Sequence, residues 1–219
     1  MEEQAATETH RLRNYYRFWR SSDRNDGPTE FANGLEDLGL CRTVEDFWQL
    51  YLSLPVIGEE NATHYYLFKS KIMPTWEHEG NCQGGRVIIS INRKDLIPYM
   101  WEVLLLTTIG EQFDVGSEIC GVSVSIKRNA CTFMVWNKTA TYEMAINKIE
   151  MKLRLIWNAP MNLRFTYKLN RAAVEKVAKP LQPFHNKEEV ENELLRKRST
   201  NRFADLSDDD KDSDASNSV

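Results

Sequence analysis

With 219 residues, 42% of them hydrophobic, the chain is large enough to bury one substantial core, and one domain with loose ends is expected. Its net charge of −4 sits wholly at the C-terminus: residues 207–219 hold five Asp and one Lys, so totals of 32 acids and 28 bases fall to 27 of each in residues 1–206. A neutral body excludes broad electrostatic binding of nucleic acid, so any contact with RNA should be small, local and specific. No apolar run is long enough to span a bilayer, and the start Met1-Glu2-Glu3-Gln4 is acidic where a secretory signal would be basic and then apolar. An intracellular protein with no membrane partner is expected. Cys41, Cys82, Cys120 and Cys131 form no Cys-x-x-Cys pair and have no His at zinc-ligand spacing, which predicts reduced thiols, mostly buried, and no metal or other cofactor.

In chain order, residues 1–9 lack hydrophobic periodicity and are expected to be disordered. A strand is expected around Tyr15 to Trp19. Thr43-Val44-Glu45-Asp46 fits a capping box and opens a first helix, whose apolar residues from Phe47 to Leu52 recur at helical spacing until Pro55 intervenes. Strand-length pieces follow at Tyr65–Lys69 and Arg86–Ile91. A second helix opens near Asp95 and Pro98 and runs to Gly110, its expected stop; it is apolar around most of its circumference and should be well buried. Strands at Gly121–Ile126 and Thr132–Asn137 precede a third helix, from about Thr141 to Leu155. That helix puts Ala145, Ile149, Leu153 and Ile156 on one side and Lys148 and Lys152 on the other. A last strand falls at Leu163–Leu169.

The order of these elements lacks the regular alternation of a doubly wound sheet, and an α+β fold fits it, with an antiparallel sheet and the helices on one face. Residues 10–170 form the expected domain. Residues 171–206 are an extension broken by Pro180 and Pro183, with a short helix expected in the charged run Lys187 to Arg198. Residues 207–219 form an acidic, serine-rich tail with almost nothing to bury.

The dipeptide Trp76-Glu77 carries the most chemistry. An indole offers a flat π face to a nucleobase, and the neighbouring carboxylate accepts hydrogen bonds from the N1–H and exocyclic amine of guanine. If that guanine is methylated on N7 it is cationic, and an electron-rich ring stacked on it gains a cation–π contribution. Taken alone, a Trp at a turn packs and a Glu beside it is solvated. The stretch Glu77-His78-Glu79 could also be read as an acid–base or metal cluster, but no second ligand cluster accompanies it, and Gly84-Gly85-Arg86 lacks the Lys and Ser/Thr of a phosphate loop.

Several short motifs in one order resemble the eukaryotic initiation factor 4E family, which binds the 7-methylguanosine cap of messenger RNA. They are Thr43-Val44-Glu45-Asp46-Phe47-Trp48, Tyr66-Leu67-Phe68-Lys69, Met73-Pro74-Thr75-Trp76-Glu77, Gly84-Gly85-Arg86, Ile109-Gly110-Glu111-Gln112-Phe113 and Val135-Trp136-Asn137, spread over roughly residues 10 to 169. The resemblance implies a curved antiparallel β-sheet with the cap in its concave face and three long helices on its convex face. It implies a non-catalytic protein in which Trp76 and Phe31 sandwich the methylated guanine, Glu77 meets its Watson–Crick edge, Trp136 touches the methyl group, and Arg86 and Lys127 hold the phosphates. Phenylalanine at 31, where the main initiation factors carry Trp, implies weaker stacking by about 1 kcal/mol. The family's further basic position is Thr132 here.

On the convex side, Trp48 directly follows Phe47, so the two point in different directions and one should be exposed. The resemblance makes Trp48 the exposed one and forms a patch from Val44, Trp48 and Leu106, with His10 at its edge. That patch would receive an initiation scaffold or repressor protein bearing a short helical motif with a tyrosine and a leucine. The implied protein is a cytoplasmic monomer, with nuclear residence left open, that binds capped mRNA and regulates translation initiation. His10-Arg11-Leu12 in place of His-Pro-Leu and Val87 in place of Trp depart from the family pattern, while the run Val115 to Gly121 with Trp136-Asn137-Lys138-Thr139-Ala140, and a first ring that is not Trp, resemble the divergent 4E homologous protein branch, whose members compete for caps and repress translation. The alternative is a protein-interaction scaffold of the same fold whose cap pocket has decayed.

Overall fold

The structure is a computed structural model that describes residues 9–22, 34–57, 63–127, 130–160 and 162–170. Phe31, the N-terminal residues 1–8, the extension and the acidic tail lie outside the described residues. Seven antiparallel strands form one sheet: β1 (Arg11–Ser22), β2 (Glu36–Thr43), β3 (Thr63–Lys69), β4 (Gly85–Ile91), β5 (Ile119–Ile126), β6 (Cys131–Asn137) and β7 (Thr166–Leu169), in the order β2-β1-β3-β5-β6-β4-β7. Among the described residues three α-helices interrupt them: α1 (Val44–Ser53), α2 (Ile97–Ile109) and α3 (Glu143–Ile156).

Each helix starts and stops for a local reason. In α1 the Thr43 side chain accepts from the Asp46 N–H, and the Asp46 carboxylate accepts from the Thr43 N–H, the reciprocal pair of a capping box. In α2, Pro98 sits in the first turn, where its missing N–H costs nothing, behind a short 3₁₀ turn at Lys94–Leu96. Gly110 closes α2 as expected, at φ −80°, and the residue that turns left-handed after it is Glu111, at φ 54°. A left-handed glutamate costs about 1 kcal/mol. It is held there because its carboxylate accepts from the Tyr16 hydroxyl and the Asn14 amide, both at 2.6 Å.

All three helices cover the same face of the sheet. Phe47 of α1 stacks on Phe18 at 6.0 Å, the Tyr16 hydroxyl also donates to the Thr108 carbonyl of α2, and Trp157, just past α3, packs on Phe133 at 5.5 Å. Register partners point to the same side of a sheet, so Phe18, Leu67, Val122, Val135 and Val87 form one continuous apolar row under the helices. Trp101 is fully buried in α2, the well-buried helix anticipated from its composition. α3 departs from its simple stripe: besides Ala145, Ile149 and Leu153 it buries Glu150 and Arg154, while Ile156 is only half-buried. Arg154 donates to Glu150 at 2.7 Å and to the carbonyls of Pro160 and Leu163, and lies over the Phe165 ring. It thereby fastens the loop that leads into β7.

Candidate functional site

The opposite, concave face presents a different set of side chains. Following register across all seven strands gives the row Leu40, Arg17, Phe68, Gly121, Trp136, Arg86 and Lys168. Beside it runs Trp19, Tyr66, Ser123, Met134, Ile88 and Thr166, followed by a hydroxyl-rich row of Ser21, His64, Ser125, Thr132 and Ser90. Tyr66, Phe68, Cys120 and Trp136 form the buried cluster of this face, and Trp76 packs against it from the loop between β3 and β4.

Each member of the cluster is fixed. Trp136 is 4% exposed; its indole N–H donates to the buried Ser123 hydroxyl at 3.0 Å, and its ring meets Phe68 edge-on at 5.4 Å. The Arg86 guanidinium lies 4.6 Å from the centre of that ring, which places a cation over an indole. Burial pulls the Arg86 pKa below its ordinary value, and its Nε has no hydrogen-bond partner among the described residues. Gly121 is required here: a Cβ would stand 2.4 Å from the Phe68 ring. The Cys120 thiol is pushed up to about 12 by burial, so it stays a thiol, and it donates to the Gly80 carbonyl at 3.2 Å.

The loop carrying Trp76-Glu77 has no long secondary structure and is organised by buried amides. Asn81, fully buried, donates from its side chain to the carbonyls of Met73 and Thr75 at 2.8 and 2.7 Å, bracketing the turn just ahead of Trp76. Its own carbonyl accepts from the Asn170 side chain at 2.6 Å, and the Asn170 N–H donates to the Gly84 carbonyl at 3.0 Å. Gly84 lies so close to β6 that a Cβ would sit 1.8 Å from the Asn137 carbonyl oxygen. Trp76 is thereby held half-buried, and Glu77 beside it is exposed with no hydrogen bond among the described residues.

Of the residues singled out from sequence, Trp76, Arg86 and Trp136 come together and Glu77 borders them. Lys127 does not join Arg86. It is exposed at the far end of β5, where its N–H closes the hairpin to Ala130, six residues beyond Gly121 and so roughly 20 Å along the sheet. Thr132 faces the same side and hydrogen-bonds Ser90 at 3.0 Å. Val87 is simply core on the helix face. Sequence reasoning missed the floor of the site, Tyr66, Phe68 and Ser123, and the amides Asn81 and Asn170 that hold the loop. The alternation of aromatics at 66 and 68 was a usable signal for the floor; the two asparagines have no local signature. In Glu77-His78-Glu79 both carboxylates are exposed and the His78 Nδ1 accepts from the Gly80 N–H. Among the described residues no group of three His, Cys, Asp or Glu is arranged to hold a metal.

On the convex side Phe47 is fully buried and Trp48, expected to be exposed, is half-buried because it packs edge-on against Phe47 at 5.2 Å and Tyr51 at 5.9 Å. Val44 is half-buried and Leu106 is 36% exposed. His10 binds Glu45 twice, through its N–H at 3.0 Å and its ring at 2.8 Å, and its carbonyl accepts from the Val44 N–H, so it borders the start of α1. The hydrogen bond from His10 lowers the Glu45 pKa to about 2.

A curved seven-stranded antiparallel sheet, helices on one side and an aromatic cluster under a Trp-Glu loop on the other, defines a protein of the cap-binding fold. The profile of the family described as Eukaryotic initiation factor 4E matches residues 11–183, and the chain belongs to that family. It is 34% identical over 152 residues to eukaryotic translation initiation factor 4E-4 of Caenorhabditis elegans, covering 69% of this chain and 71% of that one. Among solved structures it is similar to C. elegans eIF4E-3 in complex with the 4E-binding protein Mextli and cap analog, with a TM-score of 0.70, 31% identity, and 80% of this chain and all of that one covered. It is also similar to Ascaris suum eIF4E-3 with m2,2,7G cap, with a TM-score of 0.70, 26% identity, and coverage of 80% and 97%.

Proposed function

We propose that this protein binds the 7-methylguanosine 5′ cap of mRNA and acts in translation initiation through that contact. The observation that carries the reading is the seating of Trp76 on the concave aromatic cluster with the unengaged Glu77 carboxylate next to it, in a chain of the initiation factor 4E family. Trp76 supplies one stacking face and Glu77 accepts from the base edge. Arg86, held over Trp136 with an unpartnered Nε, supports the phosphates nearest the base, and Lys127 those further out along the hydroxyl-rich row. Phe31 serves as the second stacking ring and Trp136 contacts the methyl group. Binding and release of the cap is the whole activity, with no covalent step and no cofactor.

His10, Val44, Trp48 and Leu106 receive a helical segment with a tyrosine and a leucine from an initiation scaffold or repressor, and the protein works as a cytoplasmic monomer with access to the nucleus. The complexes of the relatives with cap analog and with a 4E-binding protein support both surfaces. The scaffold-only alternative is not favoured, because Trp76, Arg86 and Trp136 remain gathered on one face.

The deciding measurement is affinity for 7-methyl-GTP against GTP. At least a tenfold preference for the methylated nucleotide is expected, since a desolvated cation–π contact is worth about 2 kcal/mol. Equal affinities would end the proposal.

A further inference from the structure

Strand β1 holds a second feature on the concave face that the cap reading does not use. Residues 11–20, RLRNYYRFWR, contain four arginines and no acid, in a body of residues 1–206 that is neutral only with them counted. Strand alternation sends Leu12, Asn14, Tyr16 and Phe18 to the helices, where Leu12, Tyr16 and Phe18 are buried and Asn14 bonds Glu111. The other phase, Arg11, Arg13, Tyr15, Arg17 and Trp19, faces away from them. Arg11 and Arg13 are exposed and form no ion pair among the described residues. Tyr15 is 43% exposed between Arg13 and Arg17, an aromatic ring left standing in the middle of a strand. Arg17 is held by Asp37 and lies 5.9 Å over Trp19, and Lys71, also exposed, follows the Ser70 turn whose N–H is bonded to the Tyr15 carbonyl.

A track of cations at alternate residues, spaced roughly 6.6 Å apart and interleaved with a π face, is the arrangement that holds single-stranded nucleic acid. Arg17 shares its register row with Trp136, three strand spacings away, and with Arg86, four spacings or roughly 19 Å away across the same face. We infer that Arg11, Arg13 and Tyr15 bind the single-stranded RNA that follows the cap, the arginines on phosphates and the tyrosine under a base. The inference rests on the cap-binding reading and extends it from the terminal nucleotide to the body of the message. An acidic flank of a protein partner is the competing occupant. It is disfavoured for Arg13 and Tyr15, whose phase leads on to Arg17 and Trp19 of the concave face, although Arg11 pairs with Thr43 at the start of α1 across an irregular stretch of β1.

The test compares the wild type with Arg11→Ser/Arg13→Ser and with Tyr15→Ser against three probes: 7-methyl-GTP, a capped 12-nucleotide RNA and the same RNA uncapped. All three substituted side chains are exposed, so unchanged thermal melting is the fold control. In the wild type the capped 12-mer should bind about tenfold more tightly than 7-methyl-GTP, and both variants should reduce that gain to under about twofold while 7-methyl-GTP affinity holds. The double Arg variant should also lower the salt slope for the 12-mer by about 1.4. A wild type without a length gain, or variants that keep it, would overturn the inference while leaving the cap reading intact. Loss of binding to a helical 4E-binding peptide in place of the length gain would overturn it in favour of a protein partner. If 7-methyl-GTP is not bound at all the cap reading fails, and the uncapped 12-mer, retained by the wild type and released by the variants, still upholds the stripe.

Discussion

The two faces of the sheet are built by opposite means. Under the helices, Phe18, Leu67, Val122, Val135 and Val87 make an apolar layer whose order comes from periodicity and close packing. On the concave side order comes from single polar contacts: one indole N–H on one serine, one guanidinium on one ring, and two asparagines threading a loop. The first kind of order is distributed, so damage to it shows as lost stability. The second is local, so damage should appear as lost recognition in a protein that still folds.

The largest effect that should separate the two faces is Trp101→Ala. It empties a fully buried site in α2 and is expected to cost about 3–5 kcal/mol in denaturant unfolding, while the methyl selectivity of the molecules that remain folded is unchanged. Glu77→Ala should do the reverse, weakening 7-methyl-GTP binding by about 1.5–3 kcal/mol in a fluorescence titration with the melting temperature within a degree or two of the wild type. Trp48→Ala should remove about 2 kcal/mol or more from binding of a tyrosine–leucine helical peptide, measured by calorimetry, and leave cap retention untouched. If cap retention falls as well, the faces are coupled and the contrast drawn above is too sharp.

Asn81→Ala tests the polar order of the loop itself. It should cost about 1–3 kcal/mol of local order, read as faster amide exchange from Thr75 to Gly84, with cap affinity falling more than global stability. The smallest effect concerns Glu45, whose folded pKa is depressed to about 2 by its hydrogen bond with His10. A depressed carboxyl stabilises the fold above its unfolded pKa, near 4.3, and loses that contribution as pH falls towards 2. The melting difference between wild type and Glu45→Gln should therefore close over that window. Both partners are largely exposed, so the difference should be small and sensitive to salt.

The helix face was the more legible from sequence for the same reason that it is robust. Repetition is visible in a string: the capping box, the apolar circumference of α2 and the stripe of α3 each recur over several residues, and all three helices fall where they were expected. β2 escaped notice because Glu36 to Thr43 is an edge strand with no valine, isoleucine or aromatic in it and a glycine at its centre. The burial of Glu150 and Arg154 was also hidden, since a charged pair at i, i+4 reads as solvated until the loop it anchors is known. On the concave face the motif pointed to Trp76, Arg86 and Trp136, and they do meet. Lys127 was grouped with Arg86 by the family resemblance, which does not carry the length of strand that separates the two. Asn170 was illegible because its side-chain partner, Asn81, lies 89 residues away in sequence, and Asn81 because its bonds to Met73 and Thr75 follow no motif.

The Asn170 tether also fixes how far this chain can be shortened. A polypeptide cut after Leu169 would keep every strand and helix described and give unremarkable circular dichroism, yet it would lose both bonds that close the Trp76 loop from behind. Foldedness and competence to bind would then part company at a single peptide bond, and a truncation series scored only by solubility would set its boundary one residue short.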